Sequence, residues 1–231
     1  MQVFTASNSE ITAGHLNESE SKHCIRVLRK SKGDTILITN GNGDLHSALI
    51  TEASPKKCFY TVQSTKHFIQ ITPPLHIAIA PTKNIDRFEF FLEKATEIGV
   101  SQITPLLSFH SERKSIKQER LNRIITSACK QSKNFHFPKL NPLTEVNEIV
   151  KSKVKNKYVA HCSEGQKTHL KSLSFQEETL ILIGPEGDFS EEEIQLALKN
   201  GFQPISLGES RLRTETAGIV ACTIINMNYE H

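Results

Sequence analysis

The chain has 231 residues, 37% hydrophobic and 23% charged, with a net charge of +3, enough for one large domain or two small ones with real cores. No apolar run approaches the roughly 20 residues of a membrane span, and the opening MQVFTASNSE lacks the basic flank and apolar core of a secretion signal, so a cytoplasmic protein is expected. The five cysteines, Cys24, Cys58, Cys129, Cys162 and Cys222, are scattered without a C-x-x-C pair, and the histidines show no ligand spacing; neither a disulfide framework nor a metal site is suggested.

Residues 1 to about 72 read as a small β-rich domain, a barrel by its succession of short strands. Asp34–Thr39 and Leu45–Ile50 are strand-like, joined by Asn40-Gly41-Asn42-Gly43-Asp44, a turn of residues that tolerate positive φ. Cys58–Gln63 and His67–Ile71 predict further strands. Ahead of the hairpin, HCIRVLRKSKGD (His23–Asp34) carries Arg26, Arg29, Lys30 and Lys32, candidates for phosphate contact. The alternative is that Arg29 packs its stem on the barrel while the others are solvated. Ile71-Thr72-Pro73-Pro74 reads as a stiff linker, dividing the chain into residues 1–72 and 73–231.

From Leu75 the pattern turns to alternating strand and helix. Leu75–Pro81 is a buried strand. Asn84–Gly99 is an amphipathic helix with Ile85, Phe88, Phe91, Leu92, Ala95 and Ile98 at helical spacing. Val100–Leu107 is a second strand, broken near Pro105. Ile116–Lys133 is helical, with Leu121, Ile124, Ile125, Ala128 and Cys129 on one face and Arg120, Arg123 and Lys130 on the other. From Ser111 to Lys157 twelve Lys or Arg face four acids, whereas Tyr158–Asn200 has three against eight. That basic stretch suits a phosphate-facing surface as well as a solvated helix face. Lys157–Cys162 predicts another strand.

The remaining chain is organised by TLILIGPEGDFSEEEIQLALKNGFQPISLGESRLRTETA, Thr179–Ala217. Thr179–Ile183 is a buried strand stopped by Gly184-Pro185-Glu186-Gly187. Ser190-Glu191-Glu192-Glu193 is a capping-box pattern that opens a helix running to Asn200-Gly201. Pro204–Leu207 is a short strand ending at Gly208. After the loop to Arg213, a helix from Glu215 to about Met227 is apolar almost all round, so one monomer does not obviously cover it. Two strands thus end in glycine-bearing loops, and in open α/β sheets ligands bind beyond the carboxyl ends of strands. Each loop alone also reads as an ordinary turn. No G-x-G-x-x-G or G-x-x-x-x-G-K-[ST] is present, which disfavours dinucleotide and P-loop sites.

Together, GPEGDFS and SLGESRLRTETA resemble the C-terminal signature of the SPOUT RNA methyltransferases, and in particular the RsmE family of 16S ribosomal RNA uridine-N3 methyltransferases. The resemblance extends to FLEKATEIGVSQITPL, to Ser111-Glu112-Arg113, and to the H-x-x-x-V-L-R-x-x-x-G-D pattern from His23 to Asp34. It implies an α/β SPOUT-type knotted methyltransferase domain, preceded by a PUA-like β-barrel that binds RNA. It further implies S-adenosylmethionine as methyl donor, 16S ribosomal RNA or the small ribosomal subunit as partner, and a homodimer. The cofactor would lie against Gly184, Glu186, Gly187, Leu207, Gly208, Leu212 and Arg213. Uridine N3 must lose its proton, so Arg213 is the candidate to stabilise the anion, and Glu215 and Glu97 are candidate bases. Glu215 equally suits the first turn of a helix for electrostatic reasons alone. The candidate RNA contacts are Arg26, Arg29, Lys30 and Lys32 with Arg113, Arg120, Arg123 and Lys133. Ribose 2′-O methylation and a non-catalytic ribosome-assembly role are the alternatives.

The chain departs from the family pattern twice. After the second helix the family reads E-Q-[SC]-G-R-N; here Lys133 replaces the glycine and Asn134 the arginine, leaving Lys133 as a candidate to supply the missing cation. Asp188 stands where G-P-E-G-G has glycine, placing a negative charge beside the pocket.

Overall fold

The computed structural model describes residues 2–70 and 74–229; Ile71–Pro73 of the expected linker lie outside the described residues. Two compact units are present, one of residues up to Gln70 together with Cys129–Phe137, the other of the remainder.

In the first unit, β1 (Val3–Thr5) pairs parallel to β2 (Thr35–Thr39), which continues antiparallel to β3 (Asp44–Glu52) and β4 (Phe59–His67). The ladders run β1-β2-β3-β4, so the expected barrel is a four-stranded sheet with no ladder between β1 and β4 among the described residues. Two short helices, α1 (Asn8–Ala13) and α2 (Glu18–Lys22), and a π turn over His23–Val27 complete it. Their Leu16 and Cys24 neighbours fill a core with Phe4, Ile36, Ile38, Ala48, Ile50 and Tyr60. Of the separate strand expected over His67–Ile71, Ile71 lies outside the described residues and residues 68–70 form no strand: His67 ends β4. Beyond it, the Phe68 N–H bonds Gly43 O at 2.8 Å and its carbonyl lies 2.6 Å from His136 Nε2. The backbone groups of Phe68 are thus taken by the hairpin turn and by residue 136.

The second unit carries a parallel sheet. Its strands are β5 (Leu75–Ile79), β6 (Gln102–Leu107), β7 (Lys139–Leu140), β8 (Thr144–Glu145), β9 (Asn156–Ala160), β10 (Thr168–His169), β11 (Thr179–Ile183) and β12 (Gln203–Ser206). Their order is β10-β12-β9-β11-β5-β6-β7, with β8 also on β6. Every residue of β5 and β11 is buried, as expected of parallel strands covered on both faces. Pro105 does not break β6. It pairs with Ile79, and on the other side it falls between the β7 ladder, which ends at Ile103, and the β8 ladder, which starts at Leu106.

Helix α3 (Ile85–Ile98) is capped by Asn84 and closed by Gly99. It buries Phe88, Phe91, Leu92 and Ala95 completely, each large side chain contributing about 1.5–3 kcal/mol. α4 (Gln118–Ser132), α5 (Val146–Ile149), α6 (Glu191–Lys199) and α7 (Thr214–Asn228) follow. α7 packs on α3 so closely that a Cβ on Gly218 would sit 2.5 Å from the Phe91 ring. Among the described residues no helix is long and apolar enough to cross a membrane. At the amino ends of the strands, His76 is buried with Nε2 2.7 Å from Thr104 Oγ1, and that oxygen accepts from Asn141 Nδ2 at 2.7 Å.

The departure at Lys133 has a backbone reason. Lys133 follows α4 at φ 57°, and the Asn134 N–H returns to Cys129 O at 3.0 Å, a left-handed helix stop where glycine is favoured. Lys133→Gly is therefore expected to raise unfolding stability by about 1 kcal/mol, read from urea midpoints at unchanged m-value; an unchanged or lower midpoint would contradict the assignment.

Candidate active site

The carboxyl ends of β12, β9 and β11 lie side by side because β9 runs between the other two. The loops leaving them enclose a cleft of about 640 Å³, lined by residues 160–162 and 167, by 183–186 and 188, and by 205–214 and 217. Such a volume suits a small-molecule cofactor. Its lining pairs apolar Ile183, Ile205, Leu207, Leu212 and Ala217 with three cations, Lys167, Arg211 and Arg213, and three acids, Glu186, Asp188 and Glu209.

Of the residues expected around a cofactor, Gly184, Glu186, Leu207, Gly208, Leu212 and Arg213 line this cleft and Gly187 does not. Gly187 backs onto the loop after β6, where a Cβ would lie 3.0 Å from His110 Cβ. Glu186 turns one oxygen to the Lys83 N–H at 3.0 Å. Gly208 has φ 146° with no protein atom within 4 Å of a Cβ built on it, so its backbone conformation, not crowding, requires glycine. Gly208→Val should strain the loop and weaken S-adenosylmethionine binding tenfold or more, about 1.4 kcal/mol. Wild-type affinity by calorimetry would remove this loop from the site.

Contacts that local sequence does not signal hold the walls together. Thr214 Oγ1 donates to Gly184 O at 3.1 Å, tying the start of α7 to the end of β11. Asp188 adopts φ 65°, the left-handed region that aspartate tolerates better than most residues, which accounts for the alternation with glycine. Its Oδ2 accepts from the Cys162 N–H at 2.6 Å and its Oδ1 from the Phe189 N–H at 2.8 Å. The negative charge expected beside the pocket thus bonds backbone and joins the loops after β9 and β11. His161, on the cleft wall, has a buried Nδ1 without a hydrogen-bond partner among the described residues. Burial, and then Lys167, lower its pKa against an opposing pull from Asp188.

The candidate bases differ in setting. Glu215 is 8% exposed, its Oε1 is 3.9 Å from Arg87 Nε, and its Oε2 has no partner among the described residues. Glu97 is ion-paired to Lys94 at 3.1 Å on α3. Neither lines the cleft. The Arg213 guanidinium has no ion pair among the described residues.

The candidate RNA contacts also divide. Arg26, Arg29 and Lys32 are exposed and Lys30 half-buried, none in an ion pair among the described residues. Arg29 sits at φ 55° just past the π turn. On α4, Arg120 is held by Glu89 at 2.6 Å, Arg123 by Glu119 at 3.5 Å and Lys130 by Glu20 at 2.5 Å. Glu20 and Glu89 lie outside the basic stretch, so its sequence surplus overstates its field. Lys133 is exposed. Arg113 donates to Thr82 O at 3.1 Å and Lys83 O at 2.7 Å.

Residues 70–226 match the model of an RNA methyltransferase domain and residues 16–63 that of an RNA methyltransferase PUA domain. Ribosomal RNA small subunit methyltransferase E of Synechocystis is 30% identical over 91% of this chain and 72% of its own length. The crystal structure of a Porphyromonas gingivalis protein, described as a probable rRNA-methyltransferase, has a TM-score of 0.89 at 40% identity, covering 96% of this chain and 95% of that one. Ribosomal RNA small subunit methyltransferase E of Neisseria gonorrhoeae, solved bound to S-adenosylmethionine, has a TM-score of 0.84 at 25% identity, covering 99% and 98%.

Proposed function

The chain belongs to the family of ribosomal RNA small subunit methyltransferase E, and from that premise we propose that it transfers a methyl group from S-adenosylmethionine to N3 of one uridine in 16S ribosomal RNA. The observation that carries the cofactor assignment is the cleft at the ends of β12, β9 and β11. Its balanced charged lining, apolar wall and unpartnered His161 Nδ1 fit a ligand with an adenine, a cation and a carboxylate. When bound, the cofactor supplies an electrophilic methyl on a sulfonium. The residues named for it are Gly184, Glu186, Leu207, Gly208, Leu212 and Arg213, with Gly187 setting the loop against His110.

Arg213 opposes the charge that grows on the uracil as N3 loses its proton. Glu215 is preferred over Glu97 as base because it lies two residues from Arg213 and keeps an unpartnered oxygen. Glu215→Gln and Glu97→Gln, compared in one transfer assay, separate the two: a larger loss for Glu97→Gln would reverse this choice.

The RNA backbone is held by Arg26, Arg29, Lys30 and Lys32 of the first unit, with Arg113 and Lys133 supporting. Arg120 and Arg123 are weaker candidates, since acids already neutralise them. The substrate is 16S ribosomal RNA or the small subunit, in the cytoplasm, with no metal required. The C-terminal segment is threaded as the knot of its superfamily. A homodimer would cover the half-exposed Ile219, Val220 and Ile224 and the exposed Met227 of α7; a monomer by light scattering at micromolar concentration would exclude it.

Nucleoside mass spectrometry of ribosomal RNA from a strain lacking the gene tests the function. Loss of 3-methyluridine is expected. Loss of a ribose-methylated nucleoside instead, or no loss, would refute it.

A further inference from the structure

We propose that Phe109, paired with His110 on the loop after β6, is the platform on which the target uracil stacks at the rim of the cleft. The proposal rests on the methyltransferase reading above and adds the seat of its substrate base.

Phe109 is 78% exposed, yet its loop is firmly held. Glu193, already the capping-box acid of α6, accepts from the Phe109 N–H at 2.9 Å and from Ser108 Oγ at 2.9 Å. Ser111 Oγ accepts from the Ser108 N–H at 3.0 Å, and both serines are buried. A large apolar ring is thereby presented to water by a fixed backbone. Among the described residues the ring's one aromatic neighbour is His110, whose ring centroid is 5.1 Å away at an interplanar angle of 76°. His110 joins the pair to the cofactor loop. Its Nδ1 lies 3.1 Å from Asp188 O, and its Cβ occupies the space that a side chain on Gly187 would need. Through His110, the loop that carries the exposed ring is braced against the loop whose Gly184, Glu186 and Asp188 line the cleft.

The surroundings choose the occupant. Residues 108–117 carry Arg113, Lys114 and Lys117 against one acid, Glu112, and Glu112 is taken by Lys83 at 2.7 Å. Arg113 is anchored on the Thr82 and Lys83 carbonyls, and it has no ion pair among the described residues. An aromatic face carried on the same short segment as such cations is the combination that stacks an unpaired base and holds its phosphates. A purely apolar protein partner would leave those cations buried and unpaired.

The chain has no tryptophan, so Phe109→Trp creates a single fluorophore at the proposed contact. A uridine oligonucleotide should quench its emission, and a matched abasic one should not. In methyl transfer to 16S ribosomal RNA, Phe109→Ala should raise KM for RNA about tenfold with S-adenosylmethionine affinity unchanged, consistent with the loss of one stacked base. Phe109→Tyr should restore KM, and Phe109→Leu, apolar but without an aromatic face, should not. Equal quenching by both oligonucleotides, or an unchanged KM in Phe109→Ala, overturns the proposal. So does a drop in molecular mass of Phe109→Ala by light scattering with KM unchanged, since the ring would then contact a second copy. If the wild type methylates RNA and these variants behave as wild type, only this inference falls. If the wild type methylates no RNA, the functional reading falls, and the oligonucleotide pair still decides the stacking.

Discussion

Arg213→Ala is expected to slow methyl transfer about 100-fold, the scale on which one donor to developing negative charge acts, while RNA affinity stays near wild type. Arg213 lies at the cleft wall as the residue preceding α7, with no carboxylate to hold it among the described residues. Removing it takes away a charge that matters most as N3 gives up its proton, so kcat falls and binding changes little. The complementary variant is Arg26→Ala with Arg29→Ala. These exposed side chains belong to the first unit, so RNA binding should weaken and the salt slope should fall by roughly one unit per lost phosphate contact. S-adenosylmethionine affinity should not move. Normal RNA binding by the Arg26/Arg29 variant across several salt concentrations would make that cluster structural.

The second large effect is on stability in acid. His76 is 6% exposed, and burial, then Lys139, lower its pKa from 6.5 to about 4. The ring's Nε2 shares a hydrogen bond with the Thr104 hydroxyl, and burial and the Lys139 charge both oppose its protonation. Because the folded pKa is depressed, the group costs nothing above pH 6.5. As pH falls below that value the unfolded chain takes up a proton that the folded chain refuses, and the loss grows until pH reaches about 4. The shift corresponds to roughly 3 kcal/mol. Urea unfolding of wild type should lose that much between pH 6.5 and 4 beyond what His76→Gln loses. The variant, lower at pH 7, should show the flatter profile. Parallel profiles would mean that His76 titrates normally in the folded protein.

Sequence was most legible where structure is local. The strand Thr179–Ile183, the Ser190–Glu193 capping box and the Asn84 and Gly99 ends of α3 follow from residues within one turn of each other. Where pairing is distant, local pattern had nothing to offer. That β9 lies between β11 and β12 makes its following loop the third wall of the cleft, and this brought in His161, Cys162 and Lys167. The bond from Thr214 Oγ1 to Gly184 O spans thirty positions, beyond the reach of any local pattern. The charge count over Ser111–Lys157 could not see Glu20 and Glu89 arriving from elsewhere in the chain. Pro105 predicts a break because a proline removes a donor, but at that register the two neighbouring ladders leave a gap. The glycine departures at Lys133 and Asp188 became intelligible only with their φ angles.

The central claim is methyl transfer to uridine N3, and its most direct test is product identity. Purified protein is incubated with methyl-labelled S-adenosylmethionine and 16S ribosomal RNA, and the RNA is digested to nucleosides and resolved by mass spectrometry. Label in 3-methyluridine, strongly reduced in Arg213→Ala, is the predicted result. Label in a 2′-O-methylated nucleoside, or none in RNA while the protein still binds it, would contradict the account.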